Sequence, residues 1–416
     1  MANSGMLDGL DRAVVHALQL DGRAPFSRIA GVLGVSEHTV ARRYRAMRSR
    51  GLLRVVGVPD GGRLGHTAWS VRLTCAPDAA GPVAEALARR EDTAWVRLLS
   101  GGTEIACGIR AENGPDGPDG ADGANGTGGA RGGTGSGTGG EAGAATWDRG
   151  GGEALLLRRL PRTPRVLSMS AHATLHLFAG WRSRVSALSP EQESQLCPPA
   201  GLSAGPAAGP STGPSAGRAE RASRPYPPPA TPHGEAVPGE AVPGEAVPRE
   251  AVPREAVVLG EQDRALLRVL ARDGRAGHAE LAAACGWSPS TVRRRLEWLR
   301  GGGLLAFDVE VPPRALGYRA EAWLWLKVRP ARLAAVGAAL AAHEEVDVAA
   351  AVTGPANLMA AVTCRDTGDL YRYLSERVAP LKGVRELESA PVMRTLKRSG
   401  PLIPPAPAPG RPGRRA

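Results

Sequence analysis

One segment of the chain occurs twice, and this duplication limits the folds that the chain can adopt. The segment "LDGLDRAVVHALQLDGRAPFSRIAGVLGVSEHTVARRYRAMRSRGLL" from Leu7 aligns without a gap with "LGEQDRALLRVLARDGRAGHAELAAACGWSPSTVRRRLEWLRGGGLL" from Leu259. The match extends beyond this segment, because Leu64-Gly65 recurs as Leu316-Gly317. A chain of 416 residues is long enough for several domains. We therefore predict a duplicated unit.

Each copy of the segment predicts three helices. Apolar residues recur at helical spacing up to the motif "DGR", where Gly22 suits a helix C-terminus. A short second helix ends at Gly34, and Ser36 then provides an N-cap for the third helix, as Ser288 does in the second copy. Two short helices joined by a glycine-containing turn form a helix-turn-helix.

The third helix of each copy is predicted to be a DNA recognition helix. Val40, Tyr44 and Met47 share one face, which packs inward, and the opposite face is polar and basic. Such a capped helix can enter a major groove, where arginine pairs with guanine. The predicted DNA-contacting residues are Ser36, His38, Thr39, Ala41, Arg42, Arg43 and Arg45 in the first copy and Ser288, Ser290, Thr291, Arg293, Arg294 and Arg295 in the second.

Two of these arginines lie nearer the packed face and have an alternative role. Arg43 and Arg295 could instead form ion pairs with Asp11 and Asp263, or with the aspartates of the "DGR" motifs.

The overall composition favours an anionic partner. The formal net charge is +11, which suits nucleic acid first and a membrane surface second. The five scattered cysteines suggest neither a disulfide framework nor a metal site. No apolar run approaches the ~20 residues needed to cross a bilayer, and the charged N-terminal residues do not resemble a signal peptide. We therefore expect a cytoplasmic, nucleoid-associated protein without a membrane partner.

Three stretches are predicted to lack a folded core. Residues 111–152 are mostly glycine, and residues 182–257 are rich in proline and alanine and end in "EAVPG"-type repeats. The tail 399–416 is basic and rich in proline. We interpret the first as a surface insertion, the second as a linker and the third as disordered.

The pattern "LDxxDrxxxxxLqxDGRxxxxxiAxxxGvSxxTVxRRxxxmxxxGLL" resembles the N-terminal domain of the Lrp/AsnC (feast/famine) family. The resemblance implies an α+β fold, in which a winged-helix/helix-turn-helix domain precedes a ferredoxin-like βαββαβ (RAM-type) domain. The family's second domain forms dimers and binds amino-acid-like effectors. The implied domains are two helix-turn-helix domains at 7–58 and 259–310, and two βαββαβ domains at 64–181 and 316–398.

In this family the turn between the two middle strands often reads G-x-x-D and helps to form the effector pocket. Here the turns read "TGPANL", with Thr353, Gly354 and Asn357, and "SGGTEI", with Gly101 and Glu104. The family's aspartate is replaced in both copies, so a plain glycine turn between antiparallel strands is an alternative. No cofactor is predicted beyond a possible amino-acid-like effector at these residues.

The function indicated is a sequence-specific, double-stranded-DNA-binding transcriptional regulator, which is not an enzyme and has no catalytic residues. Its domains are expected to pair as an intramolecular pseudo-dimer or a homo-oligomer, with half-sites one or more turns (~34 Å) apart. One alternative is a siroheme-decarboxylase-like enzyme, since those enzymes resemble this family and His172 and His176 alternate with Thr174 on a strand. These three residues could equally be the wet face of an edge strand. Another alternative is a non-specific chromatin-coating protein.

Overall fold

The computed structural model describes residues 6–112, 151–180, 185–196, 257–400 and 403. Most of the predicted glycine-rich insertion and most of the proline-rich linker, together with almost all of the tail, lie outside the described residues. Within the described ranges, no helix is long and apolar enough to cross a membrane.

Each copy begins with the three predicted helices, which pack around an apolar core of their own. Ser36 and Ser288 act as the predicted N-caps, because each hydroxyl accepts a hydrogen bond of 3.2 Å from the third helical N–H. The turn residues Gly34 and Gly286 have φ of 65° and 72°, a region that favours glycine. The helices are α1 (Gly9–Leu20), α2 (Phe26–Leu33) and α3 (Glu37–Ser49) in the first copy, and α7 (Glu261–Arg272), α8 (His278–Cys285) and α9 (Pro289–Gly301) in the second.

The strand that follows each helix-turn-helix pairs with its counterpart in the other copy. β1 (Arg54–Pro59) and β6 (Leu305–Glu310) form a two-stranded antiparallel ribbon. The ribbon follows directly after α3 in the first copy and after α9 in the second. It connects the two DNA-binding units directly.

The βαββαβ order predicted for each copy is confirmed. The first copy contains β2 (His66–Cys75), α4 (Ala80–Arg89), β3 (Thr93–Leu99), β4 (Glu104–Glu112), α5 (Gly152–Ala154, continuing to Arg162) and β5 (Val166–Ala179). The second contains β7 (Ala320–Val328), α10 (Leu333–Ala342), β8 (Val346–Val352), β9 (Leu358–Cys364), α11 (Thr367–Arg372, continuing to Val378) and β10 (Val384–Lys397). The glycine-rich insertion therefore joins β4 to α5, as expected.

The last strand of each copy is shared between the two sheets. β5 pairs first with β2 of its own copy and then, from Thr174, with β8 of the other copy. β10 does the same, pairing with β7 and then, from Val392, with β3. The eight strands thus form a closed ring in the order β10-β3-β4-β2-β5-β8-β9-β7. The two βαββαβ domains pair within the chain as a pseudo-dimer.

The two sheets pack face to face through an aromatic core. Trp95 of the first copy stacks on Trp323 of the second, with ring centroids 4.5 Å apart. Arg97 is 1% exposed beside them and forms an ion pair of 3.4 Å with Glu321. Burial lowers the pKa of Arg97 to about 10.

The prediction that the linker is unfolded from residue 182 is wrong for residues 185–196. These residues include helix α6 (Pro190–Leu196), and Val185, Leu188 and Leu196 join the core of the first helix-turn-helix. The prediction was wrong because it used the average composition of a long proline-rich stretch, in which three apolar residues that are buried together have little weight.

The prediction of a disordered tail is also wrong at its first two residues. The Ser399 hydroxyl donates a 2.9 Å hydrogen bond to Asp308, and the Gly400 N–H donates one of 2.8 Å to Glu310. The chain therefore runs from the end of β10 directly onto the β1–β6 ribbon.

Candidate nucleic-acid interface and effector turns

Helix α3 presents a basic face to solvent. Val40, Tyr44 and Met47 are buried, as the apolar spacing predicts. His38, Arg42 and Arg45 are exposed on the opposite face, and Ala41 is half-buried at the flank. This helix therefore offers two arginine side chains and one imidazole to a ligand in front of it.

Helix α9 has the same arrangement with different side chains. Its buried face contains Val292, Leu296 and Leu299. Ser290, Arg293, Arg294 and Glu297 are exposed. The two candidate recognition faces are therefore unlike in both shape and charge.

Two of the predicted DNA-contacting arginines are held in ion pairs with the first helix of their own copy. Arg43 hydrogen-bonds Asp8 and lies 3.3 Å from Asp11. Arg295 binds Asp263 with two hydrogen bonds of 2.7 Å each, a forked geometry that fits a carboxylate. The pairs to Asp11 and Asp263 that the sequence offered as the alternative to DNA contact are thus both formed.

The hydroxyl residues at the start of each helix bind one another. Thr39 and Thr291 are half-buried, and their hydroxyls lie 2.9 Å from those of Ser36 and Ser288. The Ser290 hydroxyl is 2.8 Å from Ser288. These contacts stabilise the helix starts.

The "DGR" motifs, interpreted from the sequence as helix ends and as alternative ion-pair partners of Arg43 and Arg295, form a contact between the two copies. Arg23 donates hydrogen bonds of 2.6 and 3.0 Å to the carbonyls of Gly274 and Ala276. Arg275 donates bonds of 2.8 and 3.0 Å to those of Gly22 and Ala24. The repetition of the motif was the available signal, but the sequence does not reveal that the two motifs meet.

The aspartates of the same motifs bind the last turn of the third helix of the opposite copy. Arg48 of α3 lies 2.7 Å from Asp273, and Arg300 of α9 lies 3.0 Å from Asp21. We call these six residues the reciprocal clasp: Asp21, Arg23, Arg48, Asp273, Arg275 and Arg300.

The candidate effector turn of the second copy is held by hydrogen bonds. Gly354 has φ of 101°. Thr353 exchanges two hydrogen bonds of 2.9 Å with Ala173 of the first copy. The amide side chain of Asn357 binds both the N–H and the carbonyl of Val328, at 2.8 and 2.9 Å. These contacts fix the turn against β5 and β7.

The candidate turn of the first copy is connected to the second copy through an arginine. Glu104, next to Gly101, accepts hydrogen bonds of 2.8 Å from both Arg72 and Ser100. The guanidinium of Arg72 also binds Glu388 and lies 4.1 Å from the ring centre of Trp325. The hydrogen bond from Arg72 lowers the pKa of Glu388.

Comparisons with known proteins agree with this architecture. An AsnC-type helix-turn-helix domain matches residues 7–48 and 259–300, and an Lrp/AsnC ligand binding domain matches residues 321–402. An HTH-type transcriptional regulator of Pyrococcus abyssi is 35% identical over 145 residues, which are 35% of this chain and 91% of that relative. The chain belongs to the Lrp/AsnC family of HTH-type transcriptional regulators. The regulator LrpA of Pyrococcus horikoshii is 28% identical over 141 residues, 34% of this Lrp/AsnC protein and 100% of the relative.

A solved structure resembles this Lrp/AsnC protein over nearly its whole length. The siroheme decarboxylase NirDL, in complex with an iron-uroporphyrin III analogue, is similar over 95% of this chain and 94% of its own. The TM-score is 0.51 and the identity is 11%, so the likeness concerns the fold alone.

The two histidines considered for an enzymatic site contact different neighbours in this Lrp/AsnC protein. His172 lies against Gly354, where an added Cβ would overlap its imidazole. His176 contacts the edge of Phe178, with ring centroids 4.6 Å apart. The pairing register of β5 with β8 shifts between Thr174 and His176. Among the described residues, no group of three or more His, Cys, Asp or Glu is placed to hold a metal ion.

Proposed function

We propose that this regulator reads two unlike DNA half-sites with the two recognition helices of a single chain. The observation that carries the proposal is the exposed face of α3 and α9. Each helix is capped at its start, and each leaves two arginines exposed while a neighbouring arginine is bound to an aspartate. The arginines available to base edges or phosphates are therefore Arg42 and Arg45 in the first copy and Arg293 and Arg294 in the second.

The differences between the two faces imply an asymmetric operator. His38, Ala41 and Arg45 in the first copy correspond to Ser290, Arg293 and Glu297 in the second. A glutamate can accept from the cytosine amino group, whereas an arginine at the same position favours guanine. The two half-sites should consequently differ in sequence.

The test is selection of binding sites from a random DNA pool with the full chain, at ~150 mM salt to suppress purely electrostatic binding. We expect two unlike half-sites. Arg42→Ala should weaken one and Arg294→Ala the other, each by about 1–3 kcal/mol. Arg89→Ala is the matched control, because it removes an exposed arginine from α4 of the βαββαβ domain.

Each contrary outcome has a distinct meaning. A pool that never enriches would exclude sequence-specific recognition and favour the chromatin-coating alternative. Selected sites that are perfectly palindromic would exclude the asymmetric operator but retain a specific regulator.

We also propose that the chain acts by binding and not by catalysis, with an amino-acid-like effector at the turns of the βαββαβ domains. An effector at Thr353, Gly354 and Asn357 would compete with the hydrogen bond between Thr353 and Ala173 of the other copy. One at Gly101 and Glu104 would compete for Arg72, whose guanidinium also binds Glu388 of the other copy. Either event would change how the copies pair. Calorimetric titration with a panel of amino acids tests the effector. Incubation with siroheme tests the enzymatic alternative, because release of CO₂ would contradict the proposal.

A further inference from the structure

The reciprocal clasp holds each recognition helix by its C-terminal end. Arg48 and Arg300 stand in the last turns of α3 and α9, and each is bound to the "DGR" aspartate of the opposite copy. Neither helix end can move away from the opposite copy's "DGR" motif unless its ion pair breaks. The anchoring point is thus on the recognition helix itself, within two turns of the arginines proposed to contact bases.

The arginines of the "DGR" motifs strengthen the same contact. Arg23 and Arg275 are half-buried and together donate four hydrogen bonds to main-chain carbonyls of the opposite copy. A guanidinium can bind two carbonyls at fixed positions, which gives the contact a defined geometry. Burial lowers the pKa of both groups, but an arginine remains charged at neutral pH.

The clasp is also packed directly on the β1–β6 ribbon. The N–H of Gly274 donates a 2.7 Å hydrogen bond to Val55, and a Cβ at Gly22 would lie 2.7 Å from the Cβ of Phe307. The guanidinium groups of Arg23 and Arg300 both lie 5.6 Å from the ring centre of Phe307. Two independent contacts, ribbon and clasp, therefore fix one copy's DNA-binding unit relative to the other's.

We propose that the reciprocal clasp sets the separation of the two DNA half-sites that the protein accepts, which makes its six members positioning residues for recognition. Each added base pair moves a half-site by about 3.4 Å along the duplex and about 34° around it. Helices held at both ribbon and clasp cannot follow such a change, so one separation is bound best. With the clasp broken, the ribbon and the hydrogen bonds of Leu7 and Arg12 to Ala315 and Leu316 still join the copies, but the ends of the recognition helices are no longer held, and neighbouring separations become acceptable.

The experiment rests on the proposed function, since it uses the two half-sites that the wild-type chain selects. These half-sites are joined by spacers of varied length, and the enrichment of each spacing is measured. Asp21→Arg and Arg300→Asp each break one ion pair, and the double variant restores it with reversed charges. We expect each single variant to reduce the preference for the best spacing over its neighbours by about fivefold or more, and the double variant to regain it. Arg272→Asp, a charge reversal at an exposed residue of α7, should leave the preference unchanged.

Thermal unfolding of every variant separates positioning from stability. If the charge-reversal variants do not fold, the milder Asp21→Asn, Asp273→Asn double variant weakens both ion pairs while it keeps the side-chain shape. Asp21→Arg, Arg300→Asp or the Asp21→Asn, Asp273→Asn variant overturns the inference if it melts like the wild type but keeps the spacing preference. So does a folded charge-swapped pair that does not regain it. A wild-type chain that selects no pair of half-sites would instead overturn the proposed function, and this inference with it.

Discussion

The packing of residues 185–196 onto the first helix-turn-helix depends on one buried imidazole. Nδ1 of His16, a residue 9% exposed on α1, accepts hydrogen bonds of 3.1 Å from the N–H groups of both Ala187 and Leu188. His16→Leu fills similar space but leaves both donors unpaired. A buried unpaired N–H costs about 1–3 kcal/mol, and the N–H of the exposed Ala187 costs less because water reaches it, so we expect the docked state to lose about 2–4 kcal/mol.

Hydrogen exchange measures this loss directly. A cost of about 2–4 kcal/mol corresponds to a roughly 30- to 1,000-fold faster exchange of the amides at 187 and 188, if they exchange by local opening. Arg268→Leu is the matched control, because Arg268 is the aligned residue of the second copy and is exposed on α7. Unchanged exchange at these two amides in His16→Leu would refute the reasoning.

The same contact should depend on pH. Burial lowers the pKa of His16 from its ordinary 6.5, outweighing the opposite effect of Glu193, whose carboxylate lies 3.5 Å from Nε2. Protonation of Nδ1 would place a donor N–H opposite the N–H groups of Ala187 and Leu188, so that both hydrogen bonds are lost. Docking should therefore be complete above about pH 6.5 and weaken as the pH falls below it, whereas exchange in His16→Leu, corrected for its intrinsic pH dependence, should not change. Identical pH profiles in the two proteins would exclude His16 as the titrating group.

Two further predictions concern the sheets and the ribbon. Gly108→Ala places a Cβ in the ring of Trp95 and should destabilise the fold by about 1–3 kcal/mol in thermal unfolding, whereas Gly81→Ala, with open space around it, should not destabilise it. Burial raises the pKa of Asp308 from 3.8 to about 6, so the wild type loses stability as the pH rises through this range. The stability of Asp308→Asn relative to the wild type should therefore increase between pH 4 and pH 7, by up to about 3 kcal/mol. A difference in unfolding free energy between the two proteins that is the same at pH 4 and at pH 7 would contradict this prediction.

The parts of the fold that the sequence predicts are those that depend on local signals. The helix-turn-helix follows from apolar spacing, from the turn glycines and from Ser36 and Ser288, all of which act within a few residues. The pair between Arg43 and Asp11 was also foreseeable, because helices packed within one small domain bring such residues together. The βαββαβ order is what the resemblance to the Lrp/AsnC family implies.

The contacts between the copies could not be read in this way. Arg23 and the carbonyl of Gly274 are 251 residues apart, and a main-chain carbonyl carries no sequence signal. The exchange of β5 and β10 between the sheets likewise depends on where a long strand bends. The docking of 185–196 was missed because only three apolar residues in a proline-rich stretch produce it.

The shared strands have a consequence for how this regulator works in dilute solution and how it evolves. A dimer of identical subunits dissociates on dilution, and any substitution in it occurs twice. Here β5 and β10 each complete the other copy's sheet within a single polypeptide, so the pairing of these two sheets does not depend on protein concentration. A mutation in one recognition helix likewise alters one half of the complex and leaves the other half unchanged. Natural selection can therefore act on each recognition helix separately.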